Sequence, residues 1–79
     1  MKTCDKLVSL IMDYWYKCIS KNGASDFKVN NLIECFAENC GVYEGIYNYD
    51  VELTVRFLTN SQKRKLYKLL ISSGIIEEE

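Results

Sequence analysis

The chain contains no histidine and no proline, and its four cysteines form no Cys-x-x-Cys pair. Without an imidazole, a cysteine nucleophile lacks its usual general base. A zinc site likewise lacks histidine ligands and the closely spaced cysteine pairs that structural sites use. The sequence has no glycine-rich phosphate loop either. We therefore expect no enzyme activity, no catalytic residues, no metal site and no cofactor.

A linker rich in glycine or serine and a long apolar run are also missing. Seventy-nine residues provide one core, so residues 1–79 are expected to form a single domain. The apolar segment from Leu7 to Met12 is interrupted by Ser9 and followed by Asp13, which is too short and too polar for a secretory signal or a membrane span. We expect an intracellular, cytoplasmic protein with no membrane partner.

The cysteines, Cys4, Cys18, Cys35 and Cys40, admit two interpretations. They are either small buried apolar residues or members of structural disulfides. Cys4 and Cys18 lie roughly 20 Å apart along one predicted helix and cannot bridge each other. Any disulfide would therefore join that helix to Cys35 or Cys40, or join two chains.

The formal net charge of −1 conceals a partition of charge along the chain. Residues 34–52 carry five carboxylates and no basic side chain, whereas residues 56–68 carry five cations and no carboxylate. A basic block beside an acidic block favours oriented binding over general affinity for polyanions. The alternative interpretation of the basic block is an ordinary solvated helix face.

Residues 3–21 have apolar side chains at helical spacing, over an arc of roughly 200° where an ordinary surface helix needs about 100°. Such a helix is either sandwiched inside the fold or packed partly against another subunit. We expect a homodimer. The predicted dimer interface consists of Leu7, Ile11, Tyr14, Trp15 and Cys18.

The middle of the chain is predicted to hold a second helix, which follows a short extended segment at 26–29, starts at Asn30 or Asn31 and stops at Gly41. Residues 46–58 alternate between apolar and polar side chains, which favours a strand, although Val51, Val55 and Leu58 also have helical spacing. The predicted fold class is mainly α, with three or four helices and at most a small β element. The alternative is a small α+β domain with a strand at 46–58.

Residues 61–73 are predicted to form a helix that is capped by Asn60 or Ser61 and ended by Gly74. One face is expected to turn inward with Leu66, Leu69 and Leu70, and the opposite face is cationic. Such a face can follow a DNA backbone or reach base edges, and a serine at the helix N-terminus can hold a phosphate. The predicted DNA contacts are Ser61, Lys63, Arg64, Lys65, Tyr67 and Lys68.

The run from Ser61 to Glu77 resembles the close of a winged helix-turn-helix domain, whose recognition helix ends in a step similar to Leu-x-x-x-Gly-Leu/Ile-Ile into the first wing strand. Leu70, Gly74, Ile75 and Ile76 occupy those positions. The resemblance implies a strand at Ile75–Ile76 and a transcription regulator that binds duplex DNA. The family has a tight turn before its recognition helix, whereas the twenty residues 41–60 separate the second and last predicted helices here.

A second function is compatible with the same sequence. The acidic segment 34–52 contains Tyr43, Tyr47 and Tyr49, and tyrosine is enriched at binding surfaces. Acidic decoration suits a basic target. This alternative is a small protein-interaction module, an adaptor or inhibitor of viral or plasmid origin.

Overall fold

The structure, a computed structural model, describes residues 3–22, 27–47 and 50–75, and these ranges contain five α-helices and no strand. The helices are α1 (Thr3–Asn22), α2 (Phe27–Asn39), α3 (Glu44–Tyr47), α4 (Val51–Phe57) and α5 (Asn60–Ser72). The prediction of a mainly α fold is confirmed. The predicted strand residue Ile76 lies outside the described residues, as does the side chain of Cys4.

The core lies where α1 packs on α5 and α4, while α2 contacts α3, α4 and α5. Burial of apolar surface there provides the main driving force for folding. The buried core residues are Val8, Ile11, Met12, Tyr14, Cys18, Val29, Ile33, Val55, Leu58, Leu66 and Leu70. The wide apolar arc of α1 is therefore explained by the sandwiched position, because two helices of the same chain cover it.

The start of α2 differs from the prediction. An extended segment at 26–29 with a helix start at Asn30 or Asn31 is wrong, because α2 already begins at Phe27. Val29, Ile33 and Ala37 are buried at a spacing of four residues, and this stripe carries the helix past the two asparagines. The side chain of Asn30 does not cap the helix but accepts a hydrogen bond from Trp15.

The predicted end of α2 at Gly41 is confirmed. Gly41 has a φ of 83°, in the left-handed region that a side chain disfavours. The N–H of Val42 donates to the carbonyl of Ala37 at 3.0 Å, and the N–H of Gly41 donates to the carbonyl of Glu38 at 3.0 Å. These two bonds form a Schellman motif, which satisfies carbonyls at the end of the helix.

The alternative fold with a strand at 46–58 is wrong, since α3 and α4 occupy the described part of this segment. Asp50 caps α4, because its Oδ1 accepts from the N–H of Leu53 at 3.0 Å. Thr54, Val55 and Leu58 are buried at helical spacing, whereas Leu53 and Phe57, which would share one face of a strand with Val55, are exposed. Burial thus follows the helical period and overrides the alternation.

The last helix, α5, is capped by Thr59, one residue before the predicted caps. The hydroxyl of Thr59 accepts from the N–H of Gln62 at 3.1 Å, and Oε1 of Gln62 accepts from the N–H of Thr59 at 2.9 Å. This reciprocal pair is a capping box. Gly74, with a φ of 73°, follows the helix as expected.

Candidate nucleic-acid interface

The outer face of α5 is defined here as Ser61, Arg64, Lys65, Lys68 and Ser72, all of which are exposed. At about 100° per residue, they fall within roughly 100° of one another around the helix axis. Lys63, Leu66 and Leu70 are buried on the opposite side, against α1 and the rest of the core. Packing of the buried stripe therefore fixes the direction in which the cations point.

The three cations of this face are not paired with carboxylates among the described residues. The ion pair found in that part of the chain joins Nε of Arg56 to Oε2 of Glu52 at 3.1 Å, one turn apart on α4. Arg56, although it belongs to the basic block 56–68, is thus paired with a carboxylate of its own helix.

Two of the predicted DNA contacts are placed differently from the other four. Lys63, which was predicted as a DNA contact, is only 6% exposed and lies on the buried side of α5. Every buried polar side-chain atom of the described residues has a hydrogen-bond partner. The ammonium group of Lys63 has no such partner among these residues, so it must reach solvent. The methylene groups of Lys63 pack against the core. Tyr67 is half-buried and packs against the core at the margin of the outer face.

The buried face of α5 includes Lys63, whereas Leu69, which the sequence placed on the inner face, is 43% exposed. Leu69 lines a shallow apolar groove between α2 and the end of α5, together with Leu32, Phe36 and Ile75. The packing face of α5 is thus rotated from the predicted one. The long aliphatic stem of a lysine can cover apolar surface. A pattern that classes residues only as apolar or polar therefore does not predict a buried lysine.

The predicted dimer interface on α1 is not available as a surface. Ile11 and Cys18 are fully buried, and Leu7 and Tyr14 are 9% and 5% exposed, within the fold of one chain. Trp15 is half-buried, and its Nε1 donates to Oδ1 of Asn30 at 2.8 Å. Leu7, Ile11, Tyr14 and Cys18 therefore belong to the core of one chain, which contradicts their assignment to a dimer surface, whereas Trp15 lies at the edge of that core.

The acidic segment contributes a second polar surface. Glu38 and Glu44 are exposed, and Tyr43 is 74% exposed, with its ring beside Gly45. The side chains of Tyr47 and Tyr49 lie outside the described residues. Of the tyrosines predicted to form an interface, Tyr43 is therefore the one that the structure places at the surface.

The cysteines whose side chains are described lie in three different environments. Cys18 is buried in the core, whereas Cys35 is exposed and Cys40 half-buried, both as free thiols. The thiol of Cys35 donates weakly to Oδ1 of Asn31 at 3.7 Å, one turn earlier on α2. Cys18 therefore fits the interpretation of a small buried apolar residue.

Comparisons of the chain with protein-family models, with curated proteins and with solved structures find no match. Within the described residues, no helix is both long enough and apolar enough to span a bilayer.

Proposed function

We propose that the chain binds duplex DNA through the outer face of α5 and acts as a small regulator of transcription. The observation that carries this proposal is the exposure of Arg64, Lys65 and Lys68 on one side of a continuous helix, unpaired with carboxylates among the described residues. Phosphate contacts from such side chains supply most of the affinity of nonspecific binding, and base-edge contacts from the same helix supply specificity.

The connection between α4 and α5 supports the proposal. Only Leu58 and Thr59 separate the two helices, and Leu58 is 4% exposed. Helix-turn-helix proteins connect the recognition helix to the preceding helix by such a short turn, whereas the main packing partner of α5 here is α1. The segment 41–60, which the sequence predicted as the separation between two helices, contains α3 and α4. The short connection to α5 follows α4.

The placement of α5 gives the proposed recognition helix a rigid base. The helix is anchored along α1 by Leu66 and Leu70, both fully buried, and its first turn is held by the capping box of Thr59 and Gln62. Side chains on rigid elements lose less conformational entropy on binding than side chains on loops. The likeness of residues 61–77 to a winged helix-turn-helix domain agrees with the proposal and remains part of it.

A mobility-shift titration with labelled duplex DNA at low salt tests the proposal. Wild-type protein should shift the duplex, and a variant with both Lys65→Glu and Lys68→Glu should not. The matched control is Lys17→Glu with Lys21→Glu, which changes the net charge equally at two exposed lysines of α1. Circular dichroism should show that all three proteins are equally helical. Equal shifts by both double variants would remove the proposal.

A second candidate function is supported by the exposure of Tyr43 beside the carboxylates of Glu38 and Glu44. We propose as the alternative that this surface docks a basic protein, as an adaptor or inhibitor of viral or plasmid origin would. Absence of any DNA shift at about 50 mM salt, where counterion release strongly favours binding, would favour this alternative. Loss of protein capture on Tyr43→Ser would then be the supporting result.

A further inference from the structure

Three exposed apolar side chains of the described residues lie beside the groove between α1 and α4. Tyr16 is 57% exposed, Leu53 40% and Phe57 59%. Tyr16 and Leu53 line the groove, and Phe57 lies one helical turn after Leu53 on the same side of α4. Trp15 and Tyr16 meet edge to face, with ring centroids 5.1 Å apart, and form an aromatic rim of the groove.

The exposed side of α4 carries two adjacent rows, each with a spacing of four residues. One row is Leu53 and Phe57, and the other is Glu52 and Arg56. The two charged side chains form an ion pair with each other and remain about half exposed, at 50% and 52%. The exposed side of α4 thus carries an apolar row beside a charged row, and no part of the described chain covers either row.

This surface is complementary to itself. If α4 packs antiparallel on α4 of a second copy about a two-fold axis, Glu52 of each chain faces Arg56 of the other. Leu53 of each chain then faces Phe57 of the other. Interfaces with two-fold symmetry require such a pattern, in which residue i contacts residue j and residue j contacts residue i.

We infer that the chain associates as a two-fold homodimer through α4 and Tyr16, with Leu53 and Phe57 at the centre of the interface and the pairs of Glu52 and Arg56 at its rim. This surface is distinct from the buried face of α1. The dimer does not depend on DNA binding. Because α5 begins three residues after Phe57, the dimer would also bring two cationic helices into one assembly.

The area of the exposed aromatic side chains indicates a modest affinity. Tyr16 and Phe57 together offer on the order of 200 Å² per copy, about a quarter of the ~800 Å² that each partner contributes to a standard interface. The dimer should therefore dissociate on dilution. A buried aromatic at the centre carries much of the binding energy of an interface, so Phe57 should dominate.

Sedimentation equilibrium without DNA, over about a hundred-fold range of protein concentration, tests the inference. The wild type should pass from monomer to dimer, and Phe57→Ser should weaken the association by roughly 30-fold or more. Leu69→Ser is the matched control, since it removes an exposed apolar side chain elsewhere and should leave the association unchanged. A wild type that stays monomeric throughout would overturn the inference, as would equal loss in both variants.

A charge exchange tests the antiparallel arrangement separately from helix stability. Glu52→Arg places two cations on each α4, and Arg56→Glu places two anions, so each variant alone should repel its own copy and stay largely monomeric. An equal mixture should form a heterodimer, because every contact between chains is again between opposite charges. Loss of the ion pair within α4 is common to both variants and cannot restore association. A mixture as monomeric as its components would contradict the proposed interface.

The two proposals fail separately. Association is measured without DNA, and the DNA test changes lysines of α5 that are not part of the α4 surface. A monomer that binds DNA removes only the dimer, and a dimer that does not bind DNA removes only the proposed function.

Discussion

The indole Nε1 of Trp15 lies 2.8 Å from Oδ1 of Asn30 and donates a hydrogen bond from α1 to α2. The bond is partly buried, and it joins two helices whose main packing partners are other helices. Tryptophan in a half-buried position commonly uses its N–H in this way, because an unpaired donor is costly away from water. The bond also explains an asparagine in the interior of α2, where its helix propensity is poor.

Removing this bond should destabilise the domain. We expect Asn30→Ala to lower the free energy of unfolding by about 1 kcal/mol, since a donor in a partly buried site loses its acceptor. Urea denaturation of Asn30→Ala, Trp15→Phe and the double variant completes a cycle. The double variant should lose less than the sum of the single losses. Additive losses would show that the two side chains do not interact.

Ile11 should behave as a core residue and not as an interface residue. It is fully buried within one chain, so Ile11→Ala should lower the free energy of unfolding by about 2–5 kcal/mol. Asp13→Ala, at an exposed position of the same helix, is the control and should change stability little. A mild effect of Ile11→Ala on unfolding, combined with a large effect on the sedimentation mass, would restore the original placement of the dimer surface.

The capping box should contribute measurably to the stability of α5. We expect Thr59→Ala to cost about 1 kcal/mol, because the N–H of Gln62 loses its acceptor at the start of the helix. Thr59→Ser keeps a hydroxyl in the same place and should cost only a fraction of that. Thermal unfolding followed by circular dichroism measures both variants. If serine costs as much as alanine, the hydroxyl is not acting as the cap.

Lys63 and Lys68 provide a matched pair within α5. Lys63→Met keeps an apolar stem in the core and should leave stability unchanged or raised, with little loss of DNA affinity. Lys68→Met removes an exposed cation and should weaken DNA binding several-fold with little effect on stability. Fluorescence anisotropy with a labelled duplex and urea denaturation measure the two properties. A greater loss of affinity from Lys63→Met than from Lys68→Met would contradict the assigned orientation of α5.

Periodicity and end signals predicted the parts of the fold that depend on local pattern. The apolar arc of α1, the glycine stops at Gly41 and Gly74 and the continuous last helix are all present. The strand at 46–58 failed because alternation and helical spacing coexist there, and only tertiary burial of Thr54 and Val55 decides between them. The cap of α4 by Asp50 was a usable signal, since an aspartate precedes its apolar stripe.

The sequence predicted a cationic outer face on α5, but it did not predict which lysine is buried. The exposed positions Ser61, Arg64, Lys65 and Lys68 follow from the helical period once the leucines are placed inside. The sequence pattern could not exclude Lys63 from the DNA contacts, because lysine is classed as polar although its aliphatic stem can be buried. The exposed surface of α4 was not predicted. In a strand, Val55 and Phe57 would lie on the same face, so Phe57 would be buried together with Val55.

We propose that Lys65 and Lys68 neutralise DNA phosphates, and the salt dependence of binding measures how many phosphates the protein neutralises. Each such contact contributes about 0.9 to the slope of the logarithm of the binding constant against the logarithm of salt concentration. A variant with both Lys65→Gln and Lys68→Gln should therefore have a slope shallower by about 2 than the wild type. Lys17→Gln with Lys21→Gln should keep the wild-type slope. Equal slopes in all three proteins would contradict the proposed interface on α5.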